Sequence, residues 1–412
     1  MKDFIFSFNI PVEIWIILGF GLLSSLWACL AYAGMARRVR RAVRRDTVAA
    51  SEFEERAQSG DDAGDSVSGG TCGLPVSVVV RSAGDAGRLG RLLEALFSQE
   101  YAPGFEVIVV NEGACEDTSA VVDAMRLAHD NLYVTFTPDD GLNVSSKKLA
   151  VTLGVKAARY PVIVLTSADS VIQSRHWLAL MTMPFADGDT EVVLGYSTPD
   201  VHADRGSGRR TRAFNHAEMS VAWISEALAG RPYRGSEANL AFTTRAFFRN
   251  KGFSRSLNLR EGVDDIFVNE ITGRHNTALE LSEQSQVVTD CYDTRAQMRA
   301  YRKSHAFTSG FVPRRGAVML NIGSLSVWVA TGLFAWAAVT SWPNLTVAAG
   351  AAVLEIAMLV VLTLSWRGAI IALGGRRMLF TLPWMMLTRP FRAMFFSLRA
   401  RLSPARNYTY SR

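Results

Sequence analysis

The stretch VSVVVRSAGDAGRLGRLLEALFSQEYAPGFEVIVVNEG, Val76 to Gly113, reads as a strand, a helix and a second strand. Val76–Val80 is a short β-branched run, bounded before it by Pro75 and after it by Arg81-Ser82-Ala83-Gly84. From Arg88 to Phe97 the apolar positions Leu89, Leu92, Leu93 and Leu96 fall on one face at helical spacing. Phe105–Val110 is again apolar throughout and ends on Asn111-Glu112-Gly113. Working outward, the alternation continues with a helix over 117–127, a strand over 132–136, a helix over 147–158 and a strand over Val162–Leu165. Strands that are apolar on both faces and alternate with helices predict a mostly parallel sheet covered on both sides. In such sheets ligands bind beyond the carboxyl ends of the strands. Two polar segments stand there, Asn111-Glu112-Gly113 and Thr166-Ser167-Ala168-Asp169.

The flanks have a different character. Ile14 to Met35 carries no charge and is long enough to cross a hydrocarbon core. Arg37, Arg38, Arg40, Arg41, Arg44 and Arg45 follow it. A cleaved leader carries its charges before the apolar run, so this segment reads as an uncleaved anchor with the arginines on the cytoplasmic side. Residues 46–73 are acidic and small, with Glu54, Glu55, Asp61, Asp62 and Asp65 among Ser and Gly, and predict a flexible tether. After a domain over 74–315, the apolar runs 317–341 and 345–366, parted by Pro343 and Asn344, predict a membrane hairpin within 316–374. Glu355 inside it reads either as a functional group or as one that snorkels or pairs locally. Residues 375–412 mix Phe, Trp and Met with Arg389, Arg392, Arg399 and Arg401, as an interfacial amphipathic segment does.

The net charge of +6 comes with arginines that flank the apolar runs, which points to anionic lipid and away from nucleic acid. The four cysteines, Cys29, Cys72, Cys115 and Cys291, have no CxxC spacing and no clustered His partner, which suits a reducing compartment and argues against a disulfide framework or a structural zinc site. Three spans are too few to enclose a transport path.

In the second half of the domain, Glu191–Tyr196 predicts a strand and Phe214–Leu228 a helix. Tyr233-Arg234-Gly235-Ser236 and Asn239-Leu240-Ala241-Phe242 follow, then Glu261-Gly262-Val263-Asp264-Asp265-Ile266-Phe267 and Gln297–His305.

Taken in order, VSVVV, LLEALFSQEY, FEVIVVNEG and an ADS after VIVL resemble glycosyltransferase family 2, over about Leu74 to Thr308. The resemblance implies a GT-A (Rossmann-like) domain that binds a nucleotide-sugar donor and transfers its sugar. It implies that Arg81 to Asp85 wrap the base, that Glu112 meets the base or ribose, and that Lys147 or Lys148 approaches the nucleotide. The family's DxD element reads Ser167-Ala168-Asp169 here, so Asp169 is the implied ligand of a divalent cation, Mg2+ or Mn2+, on the diphosphate. Gly235 and Ser236 match the acceptor-side strand, and Asp264 or Asp265 matches the general base. Arg302, Lys303 and His305 occupy the place of the family's QxxRW-like element, whose order is absent, and imply cations facing a diphosphate or acceptor.

The expected activity is thus an inverting transfer to a lipid-linked or glycan acceptor at the cytoplasmic face of the inner membrane. The rival is a non-catalytic nucleotide-sugar-binding scaffold of the same fold, which Ser167 and Gly84 favour. Cysteine labelling at positions 62 and 344 tests the topology. Position 344 should label from outside intact cells and position 62 only after permeabilisation, and outside labelling of 62 would overturn the orientation.

Overall fold

The computed structural model describes residues 11–59, 73–138, 144–200, 206, 208–289, 295–313, 315–342, 344–402 and 408–409. In chain order, α1 (Val12–Ala28) passes through a π-helical turn, Cys29–Ala33, into α2 (Gly34–Ser59). Then follow β1 (Val76–Ser82), α3 (Ala86–Phe97), β2 (Phe105–Glu112), α4 (Glu116–Arg126) and β3 (Leu132–Thr137). Next come α5 (Ser146–Ala157), β4 (Val162–Ser167), β5 (Val171–Ile172), α6 (Trp177–Thr182), β6 (Val192–Leu194) and β7 (Ser197–Pro199). The chain continues with α7 (Arg209–Ala227), β8 (Leu240–Thr243), α8 (Thr244–Arg249), α9 (Val268–Ile271), β9 (Thr277–Leu279), β10 (Val287–Thr289) and α10 (Arg295–Thr308). It closes with α11 (Arg315–Thr340), α12 (Leu345–Ala372), α13 (Leu382–Leu387) and α14 (Arg389–Arg401). The described residues form two compact units. One takes those within Met1–Arg40, Arg210–Ser225 and Arg314–Phe396, and the other those within Arg41–Arg209, Glu226–Pro313 and Ser397–Arg412.

The larger unit is the α/β domain. Its main sheet has the order β3-β2-β1-β4-β8-β6-β9. The strands β3, β2, β1 and β4 run parallel, β8 runs antiparallel to both β4 and β6, and β9 is parallel to β6. The central strands are buried on both faces, while β3 at the edge alternates between buried and open positions. That is the pattern of a covered parallel sheet with one free edge. Leu89, Leu92, Leu93 and Leu96 of α3 are all buried against this core. Full burial of such a side chain is worth ~1.5–3 kcal/mol, so α3 is held by packing more than by propensity. A smaller sheet, β5-β10-β7, lies within the same unit.

The tether expected from Asp46 differs from what is found. The helix α2 continues to Ser59, and 60–72 lie outside the described residues. Val43 and Ala50 are seven residues apart, both buried, and Phe53 adds to the same stripe. Polar contacts fasten that face to the domain. The amide of Glu283 donates to Thr47 Oγ1 at 3.1 Å, Gln284 to Ser51 Oγ at 3.1 Å, and Ser174 Oγ to Glu54 Oε1 at 2.8 Å. The acidic composition concealed one apolar face, and the segment 46–59 is part of the domain.

Three helices are long and apolar enough to cross a membrane: Val12–Ala57, whose residues up to Arg40 belong to the other unit, and Arg315–Thr340 and Leu345–Ala372, which lie wholly in it. Gly21 lets α1 approach Phe334 of α11, where a Cβ would stand 2.7 Å from the ring. Thr331 Oγ1 donates to Glu355 Oε1 at 2.9 Å, so this carboxylate within an apolar helix pairs locally. Arg389 corrects the reading of a wholly interfacial C-terminal segment. It is buried, donates to Glu218 Oε1 at 2.7 Å and to Asn321 Oδ1 at 2.8 Å, and faces protein where lipid was expected. Phe391, Met394, Phe395 and Leu398 leave an exposed apolar face on α14.

Two ion pairs, from Arg245 at 3.3 Å and Arg249, pin the start of β6 through Glu191. Glu191 accepts from Arg249 at 2.7 and 2.5 Å and from Asn276 at 3.0 Å, and its amide donates to Asn276 O. The Arg249 bonds, then Asn276, hold its carboxyl down at about 2 against some burial. A depressed carboxyl contributes stability that is present above its unfolded value and lost as pH falls through the folded one. Glu191→Gln should therefore cost ~1–3 kcal/mol at neutral pH. In equilibrium unfolding, the gap between parent and variant should close as pH falls from the ordinary carboxylate range towards 2.

Candidate active site

Strand direction collects the site. The strands β1, β2, β4 and β6 end on one rim of the sheet, and the reversed β8 begins there, with Leu240 opposite Leu165 and Leu194. Arg81, Glu112, Ser167–Asp169, Gly195–Ser197 and Arg234–Asn239 all stand on that rim as a result. Asn239 locks the segment before β8. It is buried, donates to Tyr196 O at 3.0 Å and Ser285 O at 2.8 Å, and accepts from Trp177 Nε1 at 3.1 Å. A Cβ on Gly195 would meet Asn239 at 2.6 Å, so glycine is required for this approach.

On one side of the rim Arg81 donates to Glu112 Oε1 at 3.0 Å and pairs with Glu237 at 3.5 Å. The other Glu112 oxygen accepts from Ser146 Oγ at 2.9 Å. Lys147 bridges Glu237 at 3.4 Å and Glu261 at 3.0 Å. Glu237 and then Glu261 hold the Lys147 ammonium above its ordinary range against the burial that opposes it. Burial also works against the Glu237 carboxylate, but Lys147 and Arg81 outweigh it and keep that group low. Two cations and three glutamates thus form one chain of charge beside Asp169, whose own carboxylate accepts from Ser167 Oγ.

On the other side stands Arg234. Its side chain is only 4% exposed; Nη2 donates to Asp264 Oδ2 at 2.6 Å and to Tyr301 Oη at 3.2 Å. Nη1 meets the His305 ring, with Nε2 at 2.5 Å. Burial, then the charge on Arg234, pull His305 down to about 4, so its ring is neutral at pH 7. The two acids differ sharply. Asp265 is 2% exposed. Its Oδ1 accepts from the Ile266 amide at 2.7 Å and its Oδ2 from Thr308 Oγ1. Burial alone would raise Asp265, but the donors around it hold it low. His305 Nδ1 stands 3.8 Å away, beyond hydrogen-bond reach, which leaves Thr308 and Arg234 as the stronger holds. Asp264 is 23% exposed and is raised, first by burial and then by Asp265 and Glu237, with Arg234 opposing. Both sit in a π-helical turn, Val263–Phe267, entered through Gly262 at a φ of 119°, which only glycine adopts without strain.

The fold and the rim now stand beside known proteins. Residues 74–264 match the family described as Glycosyltransferase like family 2. Over these residues the chain is similar to the family 2 glycosyltransferases. Among solved structures, the chain is similar to mannosyltransferase PcManGT from Pyrobaculum calidifontis in complex with GDP-Man and Mn2+. The identity is 17%, with 83% of this chain and 97% of that chain covered, at a TM-score of 0.46. S. aureus TarS 1-349 is 14% identical over 80% of this chain and 90% of that one, with a TM-score of 0.38. Glucosyl-3-phosphoglycerate synthase from Mycobacterium tuberculosis, in complex with Mn2+, UDP and phosphoglyceric acid, is 12% identical over 57% and 78%, with a TM-score of 0.38. No curated protein sequence matches the chain.

The rim brings together Arg81, Glu112, Lys147 and Asp169 on one side and Asp264, Asp265 and His305 on the other. Gly235 joins them through its amide, which donates to Asp264 O at 2.8 Å, and Ser236 Oγ lies 2.5 Å from Ser197 Oγ. Two residues named from the sequence do other work. Asp85 caps α3, accepting from the Arg88 amide at 3.1 Å and pairing with its guanidinium at 2.7 Å. Lys148 is buried beneath the rim and donates to Ser256 O at 2.5 Å, where burial pulls it down to about 8. Arg302 is buried and Lys303 half-buried on α10. Sequence reasoning passed over Arg234, Glu237 and Glu261 because charged residues in loops look solvated. The clue was their placement, since each directly precedes or adjoins a glycine of the two acceptor motifs or the Gly-Ser pair. Among the described residues no three His, Cys, Asp or Glu side chains gather as a metal cage. One carboxylate with a nucleotide's own phosphate oxygens still satisfies a hard divalent ion, which commonly takes one or two carboxylates.

Asn239→Ala should lower thermal stability by ~2–4 kcal/mol, because it strands two carbonyls and an indole N–H. Nucleotide binding should weaken with it as the 234–239 segment loosens. A calorimetric scan showing less than ~1 kcal/mol lost would remove Asn239 as the lock.

Proposed function

We propose that the domain transfers one sugar from a nucleotide-sugar donor, with inversion, to a lipid-linked or other membrane-proximal acceptor at the cytoplasmic face. The single observation that carries this reading is the difference between two adjacent carboxylates. Asp264 is partly open and raised, while Asp265 is enclosed and fully bonded. An inverting transferase needs a group that takes the proton of an acceptor hydroxyl while its oxygen attacks the anomeric carbon. The bond from that carbon to the nucleotide diphosphate breaks on the opposite side. Asp264 suits the task, because a raised carboxyl is a stronger base, and Arg234 fixes its orientation through a 2.6 Å bond. Asp265 holds the turn.

On the donor side, Glu112 accepts hydrogen bonds from the base or ribose of the nucleotide, and Arg81 and Lys147 supply cations for its diphosphate. Asp169 would hold a Mg2+ or Mn2+ ion there, whose chemistry is to neutralise charge on the departing diphosphate. Mn2+ accompanies GDP-Man in the mannosyltransferase structure and UDP in the synthase structure. The arginines after α1 and around the hairpin support the cytoplasmic placement.

A donor screen with purified protein and Mg2+ or Mn2+ tests the reading. Asp264→Asn should lose ~10²-fold or more in turnover at unchanged donor affinity. Asp265→Asn should mainly lower the melting temperature. The rate of the parent should rise with pH through a value above the ordinary carboxylate range, since the base must be ionised. If Asp264→Asn keeps full transfer while a stably folded Asp265→Asn loses it, the two roles are reversed. If a nucleotide binds and no donor is turned over, the scaffold takes the place of the enzyme.

A further inference from the structure

Between α8 and the π-helical turn, Ser256 to Glu261 has no regular structure, yet its backbone is held from two sides. From α5 and the residue before it, Lys148 Nζ donates to Ser256 O at 2.5 Å. Ser145 donates through its amide to Leu257 O at 3.3 Å and through Oγ to Arg260 O at 2.6 Å. From the other side comes the C-terminal tail. The amide of Thr409 donates to Asn258 O at 3.0 Å, Arg260 Nε donates to Tyr408 O at 3.1 Å, and Leu259 bridges to Tyr408. The Tyr408 ring also stands edge-on to Phe307, 5.5 Å between centroids. Phe307 lies on α10 between His305, which meets Arg234, and Thr308, which holds Asp265. Tyr408 therefore joins the two elements that set the acidic turn: the loop entering it and the helix behind it.

We propose that Tyr408 and Thr409 are positioning residues of the acceptor site, a strap that holds 256–261 and so sets Glu261 and Asp264. This rests on the transferase reading given above. Glu261 reaches Lys147 from the end of this loop, and Gly262 passes any shift of the loop into Val263–Phe267. A displacement of ~1 Å at a reacting group can cost ~10²-fold in rate, so a strap remote from the reacting atoms can govern turnover.

The test uses the full chain with Thr409→Pro, which removes the amide donor, and Tyr408→Ala, which removes the ring. Thr409→Ser, which also keeps the hydroxyl that donates to Asn258 O at 3.3 Å, and Tyr408→Phe serve as controls that retain them. Both readouts are taken on each: turnover with the donor found in the screen, and amide hydrogen exchange of 256–261. Thr409→Pro and Tyr408→Ala should exchange at least ~10-fold faster in that loop. They should also lose ~10-fold or more in kcat, with donor affinity and exchange in β1 and β2 unchanged, while the controls behave as the parent. Unchanged exchange in 256–261 would overturn the strap. Faster exchange with unchanged kcat would overturn its positioning role. If the parent transfers no sugar, the transferase reading falls by itself, and the exchange data alone decide whether the strap exists.

Discussion

A guanidinium withdrawn from water must be answered by protein, and Arg234 is the cation around which the acceptor side is arranged. It cannot shed its charge, so the cost of burying it is offset only by the groups that meet it. Asp264, Tyr301 and His305 do so from three directions. The consequences run outward. His305 is kept neutral by the same burial and by the same charge, and Asp264 is fixed in direction without being fully neutralised. Asp265 is drawn inward and bonded to Thr308, which ties the acidic turn to α10. Removing the cation would leave these groups with no common centre.

The donor side is built on a different economy of charge. Arg81 and Lys147 are already engaged by Glu112, Glu237 and Glu261. On the proposed reading, a diphosphate approaching this rim would exchange carboxylate partners for phosphate oxygens and need not find bare cations. Glu237 stands between the two halves, bonded to the donor-side cations while raising Asp264 through its charge. Binding on one side of the rim and basicity on the other are thereby in electrical contact.

Much of this was legible in the residues. The strands β1, β2, β3 and β4 fall where the apolar runs place them, because a doubly covered strand leaves an unbroken signature. Glu112, Asp169 and the acidic pair were visible as polar residues at strand ends and after a glycine. The helical continuation of α2 to Ser59 was not, since its apolar stripe is thin and acidic residues surround it. Lys148 was expected near the nucleotide and Arg389 at the membrane interface; both are buried, and nothing in a local window distinguishes a lysine that will meet a carbonyl from one that meets a ligand. The choice between Asp264 and Asp265 was equally closed to the sequence, because it depends on Thr308 and Arg234, residues far away along the chain.

The reversed strand β8 has a bearing on how the molecule comes to exist. Val76 pairs with Val162, and Val162 in turn with Thr243, so the centre of the sheet is closed by partners synthesised long after one another. Pairings of that range are slow, because loop closure costs entropy before any contact repays it. The first apolar helix leaves the ribosome well before β8 does. The rim, and with it the ion pairs described above, is complete only once β8 has paired with β4 and β6.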